Sequence, residues 1–250
     1  MSIKIQYIYN SCFTIESESH FLVIDYFRGD LILPPDKKIL FLVTHGHADH
    51  YTPEIFTLPG AEKAHYLLSD EIRAPRDSGK IIRLGDSPEE AARTKRLYTP
   101  SRVRRAHPGE SFTWEGLQVH TFPSTDAGMS ILFEWDDIFF FHAGDLNAWK
   151  WPSMSASEQK KEVEDYKNVL DQVRNFPVHV GFCPVDPRLA ENAFLGGNLF
   201  LETLNPEIFL PMHFGDDCAI TTAFRKQAAP RFRTRIYTIA APYDTLYIKR

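Results

Sequence analysis

Residues 44–50 read Thr-His-Gly-His-Ala-Asp-His, and no other stretch of the 250-residue chain limits its fold so tightly. Three imidazoles and a carboxylate within six residues make a metal-ligand density, and they follow directly on an apolar run, residues 39–43, that reads as a buried strand. With ten histidines in the chain, a chance H-x-H-x-D-H match has a probability on the order of one in a thousand. In such a turn His45 and His47 alternate to one side and can face one cation, while Asp49 and His50, further round, can face a second about 3.5–4 Å away. Gly46 is expected to permit the tight backbone, and Asp49 to supply a hard oxygen suited to a divalent ion.

The same pattern recurs along the chain. Apolar strand-like runs lead into Asp25, His45, Asp145 and His213, and sheets with parallel strands bind ligands at the carboxyl ends of those strands. Strands are expected over residues 3–9, 13–16, 21–25 and 39–44. The charged, broken stretch 70–108, with Arg93, Lys95, Arg96, Arg102, Arg104 and Arg105, reads as a surface excursion. Strands resume over 117–121, 131–135 and 138–142. Ser155-Ala156-Ser157-Glu158 matches a capping box that opens a helix running to Pro177, with Val163, Tyr166, Leu170 and Val173 on its buried face. Beyond it come a strand over 178–182, a helix over 194–204, a strand over 208–210, a helix over 218–228 and a final strand over 235–239. Without repeats or low-complexity tracts, one domain over residues 1–250 is the simplest organisation.

Composition narrows the function classes. A chain of this length, 43% hydrophobic, buries enough surface to need no disulfide staple. Its three cysteines, Cys12, Cys183 and Cys218, form no CxxC pair, which argues against a zinc ribbon and for a reducing, cytoplasmic setting. The N-terminus lacks the apolar core of a signal peptide, and no run approaches the roughly 18 apolar residues of a membrane span. A net charge of −5 opposes a surface built to grip nucleic acid.

The H-x-H-x-D-H motif at His45, His47, Asp49 and His50, with Asp25 ending an early strand, a Gly-Asp at Asp145 and a late histidine at His213, resembles the metallo-β-lactamase-fold hydrolase superfamily. The resemblance implies a four-layer αββα sandwich with a metal site at one edge. It also implies Asp145 as a carboxylate bridging two metals, and His213 joining Asp49 and His50. Most similar are the small lactonase and phosphodiesterase-type members. The implied chemistry is hydrolysis by a metal-bound hydroxide, with two Zn2+, or Mn2+ or Fe2+, activating water and Asp49 orienting it or taking its proton. The substrate is expected to be a small anionic ester, lactone or phosphodiester, because two cations leave a positive floor. The alternatives are a nuclease, encouraged by the basic residues between 93 and 105, and a non-catalytic binding protein with a degraded metal site.

One part departs from the family pattern. The loop after residue 122 reads Pro-Ser-Thr-Asp-Ala-Gly-Met-Ser and lacks the usual third histidine, so Asp126 is expected to replace it as a metal ligand, with Gly128 giving the backbone room to turn. His120, by strand alternation, reads as a solvated strand residue. The Pro-Val-Asp-Pro-Arg segment around Asp186 and Arg188 reads as a turn, and Trp149 with Trp151 as core contacts.

Overall fold

The computed structural model describes residues 2–72, 89 and 101–249. The chain forms two compact units, Met1–Ala106 with Tyr243–Arg250, and His107–Pro242. Among the described residues each carries one seven-stranded mixed sheet. Two mixed sheets with associated helices meet the expected αββα class.

In the first unit the strands are β1 (Ser2–Tyr9), β2 (Cys12–Glu16), β3 (His20–Ile24), β4 (Lys38–Val43), β5 (His65–Ser69) and β6 (Val103–Ala106). They lie side by side in chain order, and the last strand of the chain, Thr245–Lys249, pairs antiparallel with β1 at one edge. The pairs β3/β4, β4/β5 and β5/β6 are parallel. Tyr66 shows how the short 3-10 segments Pro53–Phe56 and Ala61–Lys63 are held to this sheet. Its ring stacks on Phe41 and packs against Phe56, while its hydroxyl lies 3.2 Å from the carbonyls of both Ile55 and Ala61. Burial of these rings supplies the apolar driving force, and the one hydroxyl proton is shared between the two carbonyls, that of Ala61 also accepting from the Ala64 amide.

In the second unit β7 (Ser111–Trp114), β8 (Leu117–Pro123), β9 (Met129–Trp135) and β10 (Ile138–His142) form an antiparallel meander. The sheet continues in parallel through β11 (Val180–Pro184), β12 (Ile208–Met212) and the short β13 (Arg235–Ile236). Parallel neighbours need crossover connections. These are α1 (Ala156–Val173), α2 (Leu195–Leu204) and α3 (Ala219–Ala228). The capping box at the start of α1 forms as expected, Ser155 Oγ accepting from the Glu158 amide and Glu158 Oε2 from the Ser155 amide. Tyr166, Leu170 and Val173 are buried, joined by Val169, whereas Val163 lies only part-buried. α2 can lie directly on β11 because residue 181 is glycine: a Cβ there would come within 2.5 Å of the Phe200 ring.

Several sequence readings are corrected. β5, β7 and the last strand were not anticipated, and part of the supposed excursion is β6, an edge strand containing Arg104 and Arg105. Arg105 donates to the carbonyls of Asp70 and Ile72, and Arg102 to that of Ala64, so these two cations are engaged in holding loop backbone to the sheet. Arg93, Lys95 and Arg96 lie outside the described residues. The strand expected over 235–239 is two residues long.

Burial also sets the thiol chemistry. Burial pushes the Cys183 thiol up to about 12, only partly offset by its contact with the Tyr166 hydroxyl at 3.4 Å. Burial, with Asp25 nearby, raises Cys12 likewise, while Cys218 is part-exposed and none of the three is in a disulfide. Since the thiolate is the nucleophile, native protein treated with iodoacetamide at pH 8 should be alkylated at Cys218 alone, and at all three positions after denaturation. Intact-mass and peptide mass spectrometry check this.

Candidate metal centre

In the first unit the parallel register of β3 and β4, Ile24 opposite Leu42, sets the residues just past both strands beside one another. Asp25 sits there, fully buried, with φ 49°, a left-handed backbone that costs a non-glycine residue roughly 1–2 kcal/mol. Its carboxylate accepts three hydrogen bonds: Thr44 N to Oδ1 at 2.8 Å, Thr44 Oγ1 to Oδ2 at 2.7 Å, and His50 Nδ1 to Oδ2 at 2.8 Å. Asp25 therefore acts on the imidazoles from behind.

These bonds determine which nitrogen carries each proton. The single hydroxyl proton of Thr44 goes to Asp25, so at the 3.0 Å contact with His45 the donor is His45 Nδ1–H. His50 Nδ1–H is likewise committed to Asp25. Both rings keep their lone pair on Nε2, the form in which a histidine whose other nitrogen is hydrogen-bonded to oxygen ligates a metal. Their centroids are 4.1 Å apart, and that of His47, which is exposed, is 4.6 Å from His45. Asp25, His45 and His50 form one cluster of close donor atoms. The turn is closed by the amides of His50 and Tyr51, both donating to the His47 carbonyl at 3.0 and 2.9 Å. Asp49 projects from it, its Oδ2 taking a 3.3 Å hydrogen bond from Asn10 Nδ2 and lying 3.9 Å from His50 Nε2.

Gly46 is not needed on the expected ground. An added Cβ would meet its nearest neighbours, Glu71 Oε1 and Ile72, at an ordinary 3.8 Å. The Gly46 amide donates to Glu71 Oε1 at 2.9 Å, which pins the turn to the end of β5.

The second unit repeats the device. The register of β11 with β12, Pro184 opposite Met212, brings Asp186 to His213. His213, with φ 62°, donates from Nδ1 to Asp186 Oδ2 at 3.0 Å, again leaving Nε2 as the lone-pair nitrogen. That nitrogen lies 3.2 Å from Asp145 Oδ1. Two acceptor atoms so close repel unless a proton or cation lies between them, and a divalent metal suits such a pair. Burial works to raise the Asp186 carboxyl, but hydrogen bonds from His213 and Arg188 outweigh it and hold the group below the usual carboxylate range. Asp145 follows Gly144 (φ 57°), and its carbonyl accepts from Trp149 Nε1 at 2.8 Å. Nearby His142 is set the opposite way: its Nδ1 accepts the Gly144 amide at 3.2 Å, which leaves the ring proton on Nε2 and makes it no donor to a metal.

The structure thus gathers His45, His47, Asp49 and His50 on one turn and pairs Asp145 with His213. Asp126, expected as a ligand of the first site with His45 and His47, belongs to the second unit. It is exposed on the β8–β9 loop, where its negative charge adds to the burial that chiefly raises Glu162, and Gly128 does take the expected left-handed turn (φ 63°). Thr125 is the residue of that loop turned towards the Asp145 segment, bonding the Asn147 carbonyl at 2.6 Å and amide at 3.0 Å. His120 is half-buried against Phe176, its ring bonded to Ser111 Oγ and burial lowering its pKa, so it is less solvated than its alternation suggested. Missed outright were Asn10, Thr44 as a relay and Asp186 as an anchor. The signal available for Asp186 was an aspartate following a strand, which reads equally well as a turn former.

The family described as the β-lactamase superfamily domain matches residues 4–161. No curated protein is significantly similar in sequence. Among solved structures, Igni18, a novel metallo hydrolase from the archaeon Ignicoccus hospitalis, aligns over 100% of both chains at 17% identity and a TM-score of 0.61. YhfI, a metallo-β-lactamase fold protein from Bacillus subtilis, aligns over 99% of this chain and 100% of its own, at 11% identity and a TM-score of 0.62. CmlA, a diiron β-hydroxylase from Streptomyces venezuelae, aligns over 99% of this chain and 54% of its own, at 12% identity and a TM-score of 0.59. These are likenesses of fold.

Hydrogen-bond partners that orient ligating histidines usually contribute about 10–100-fold in metal affinity. Asp25→Asn and Thr44→Val should each weaken zinc binding by about that range, measured by competition with a chromophoric chelator, with circular dichroism confirming that the fold persists.

Proposed function

This chain belongs to the metallo-β-lactamase superfamily, and from that premise we propose that it is a metal-dependent hydrolase of small anionic esters, lactones or phosphodiesters. The observation that carries this reading is the set of committed tautomers: Asp25 and Asp186 each hold an Nδ1–H, Thr44 holds a third, and three histidines are left with Nε2 as donor. We assign His45, His47, Asp49, His50, Asp145 and His213 as the residues that would hold the metal, Asp145 as the carboxylate that would be shared, in one catalytic domain over residues 1–250. The natural load is a pair of divalent ions, zinc being favoured by an imidazole-rich donor set and manganese or iron admitted by the carboxylates. Bound there, such ions supply Lewis acidity and bring the pKa of coordinated water to about 7.

The protein's own groups do the rest. Asp49, steadied by Asn10, is placed to orient the nucleophile and accept its proton. Asp25 and Asp186 keep the imidazoles from turning as charge develops. Within the basic run, Arg102 and Arg105 hold backbone carbonyls, which does not favour a nuclease. Among the described residues no helix is long and apolar enough to cross a membrane.

The test is metal analysis of purified protein followed by a hydrolysis screen over lactones, phosphodiesters and thioesters. Bound divalent metal, with hydrolysis abolished by a chelator and restored by zinc or manganese, supports the reading. Substoichiometric metal in every preparation overturns it. If Asp145 bridges, Asp145→Ala should release more metal than His47→Ala, because a shared carboxylate serves both sites; equal loss in elemental analysis would contradict the assignment.

A further inference from the structure

Among the described residues four strands form the outer edges of the two sheets, and three of them are short or charged. An edge strand presents unpaired N–H and C=O groups, and proteins shield such edges by brevity, charge or proline. β13 has two residues, β7 has four, and β6 has four of which two are Arg104 and Arg105. The last strand, Thr245–Lys249, differs: it is five residues long, Thr-Leu-Tyr-Ile-Lys, with no proline and one charge at its end. The large apolar side chains left exposed among the described residues gather at this same edge. They are Ile32 at 88%, Tyr243 at 40% and Tyr247 at 57%. Ile32 and Tyr243 line a groove of about 450 Å³ together with Lys4 of β1, and Tyr247 stands directly opposite Lys4 in the strand register, hence on the same face. An apolar patch beside an open strand edge marks an interaction surface.

The register also says which backbone groups face outward. The Tyr7 amide donates to the Asp244 carbonyl at 3.0 Å and the Tyr243 amide to the Tyr7 carbonyl at 2.8 Å, so the backbone of Tyr7 faces the last strand. Backbone groups alternate in direction along a strand, so those of Ile5 and Ile3 face it too, and their partners Leu246 and Ile248 spend their N–H and C=O on β1. The N–H and C=O of Tyr247, between those two, point to the open side. Such a strand is complementary to itself. Paired antiparallel with an identical strand about a two-fold axis at Tyr247, it sets Tyr247 opposite Tyr247 of the second copy, in a pair that exchanges both hydrogen bonds. The same register carries the exposed Lys249 to the end of the other strand that Asp244 precedes, so opposite charges meet at both ends, whereas parallel pairing would set like against like. We infer that this edge binds a second copy of the chain, the sheets of the two first units joining through their last strands. The inference is independent of the hydrolase reading.

The experiment is sedimentation velocity over a dilution series for the unaltered chain and Tyr247→Lys, with circular dichroism recorded on both. The unaltered chain should sediment at twice the 28.8 kDa of one chain. In Tyr247→Lys two ammonium groups would oppose each other across the axis in place of an aromatic pair, and dimer affinity should fall about tenfold. The dichroism should be unchanged, because Tyr247 is exposed in the single chain. Cysteine variants test the register. Opposed Cα atoms in a hydrogen-bonded antiparallel pair lie about 5.5 Å apart, within disulfide range, so mild oxidation should link Tyr247→Cys to itself, and Lys249→Cys to Thr245→Cys when the two are mixed. Peptide mass spectrometry distinguishes these links from any made by Cys218. Three results would each overturn the inference: an unaltered chain that stays monomeric throughout, a dimer just as strong in Tyr247→Lys, or Lys249→Cys linking to itself as readily as Tyr247→Cys does. Should Tyr247→Lys lose its fold, the pattern of disulfide links decides alone.

Discussion

The buried carboxylate of Asp25 is the constraint from which the first unit's site follows. A charge taken out of water costs several kcal/mol unless its lone pairs are satisfied, and here two bonds from Thr44 and one from His50 meet that need. Each donor gives up its proton in one direction only. The committed proton on Thr44 forces His45 to donate to it, and the committed Nδ1–H of His50 leaves the lone pair on its far nitrogen. One desolvated acid thus sets the tautomers of two imidazoles.

The second unit reaches the same result with different residues. Asp186 is covered almost completely and holds His213 as Asp25 holds His50. In both places a residue in left-handed backbone conformation lies just beyond a parallel strand, Asp25 after β3 and His213 after β12. Such conformations are uncommon outside glycine and asparagine and survive when neighbouring contacts over-determine them. Here the contacts are the hydrogen bonds that orient the imidazoles, so the strain and the ligand geometry have one cause. The aromatic pair Trp149 and Trp151 belongs to the same arrangement, because the indole N–H of Trp149 is bonded to the Asp145 carbonyl and its ring borders His213.

Much of this was readable from sequence for local reasons. The apolar run into Thr44 announces a strand end, the H-x-H-x-D-H spacing announces ligands, and the Ser155–Glu158 box announces a helix start, because each depends on residues within a turn or two of one another. Asp145 and His213 were legible by their positions after apolar strands. Asp126 is the acidic residue that its loop offers, and the sequence says which residue types a loop supplies but not where their side chains point. In the structure it stands exposed, its charge acting on Glu162.

What the sequence determined by itself was the family, the fold class and the residue types offered for ligation. Tertiary structure decided what stands behind them. Asp186 lies 27 residues from His213, and Asp25 lies 25 from His50. Only parallel strand register, set by hydrogen bonding between segments distant in the chain, places each acid against its imidazole. The last strand, Thr245–Lys249, was missed for the same reason. Its five residues carry too little periodicity to declare a strand, and its partner, β1, is at the other end of the chain. Local chemistry is written in neighbouring residues, whereas the tautomer of a histidine and the edge of a sheet depend on contacts that exist only once the chain has folded.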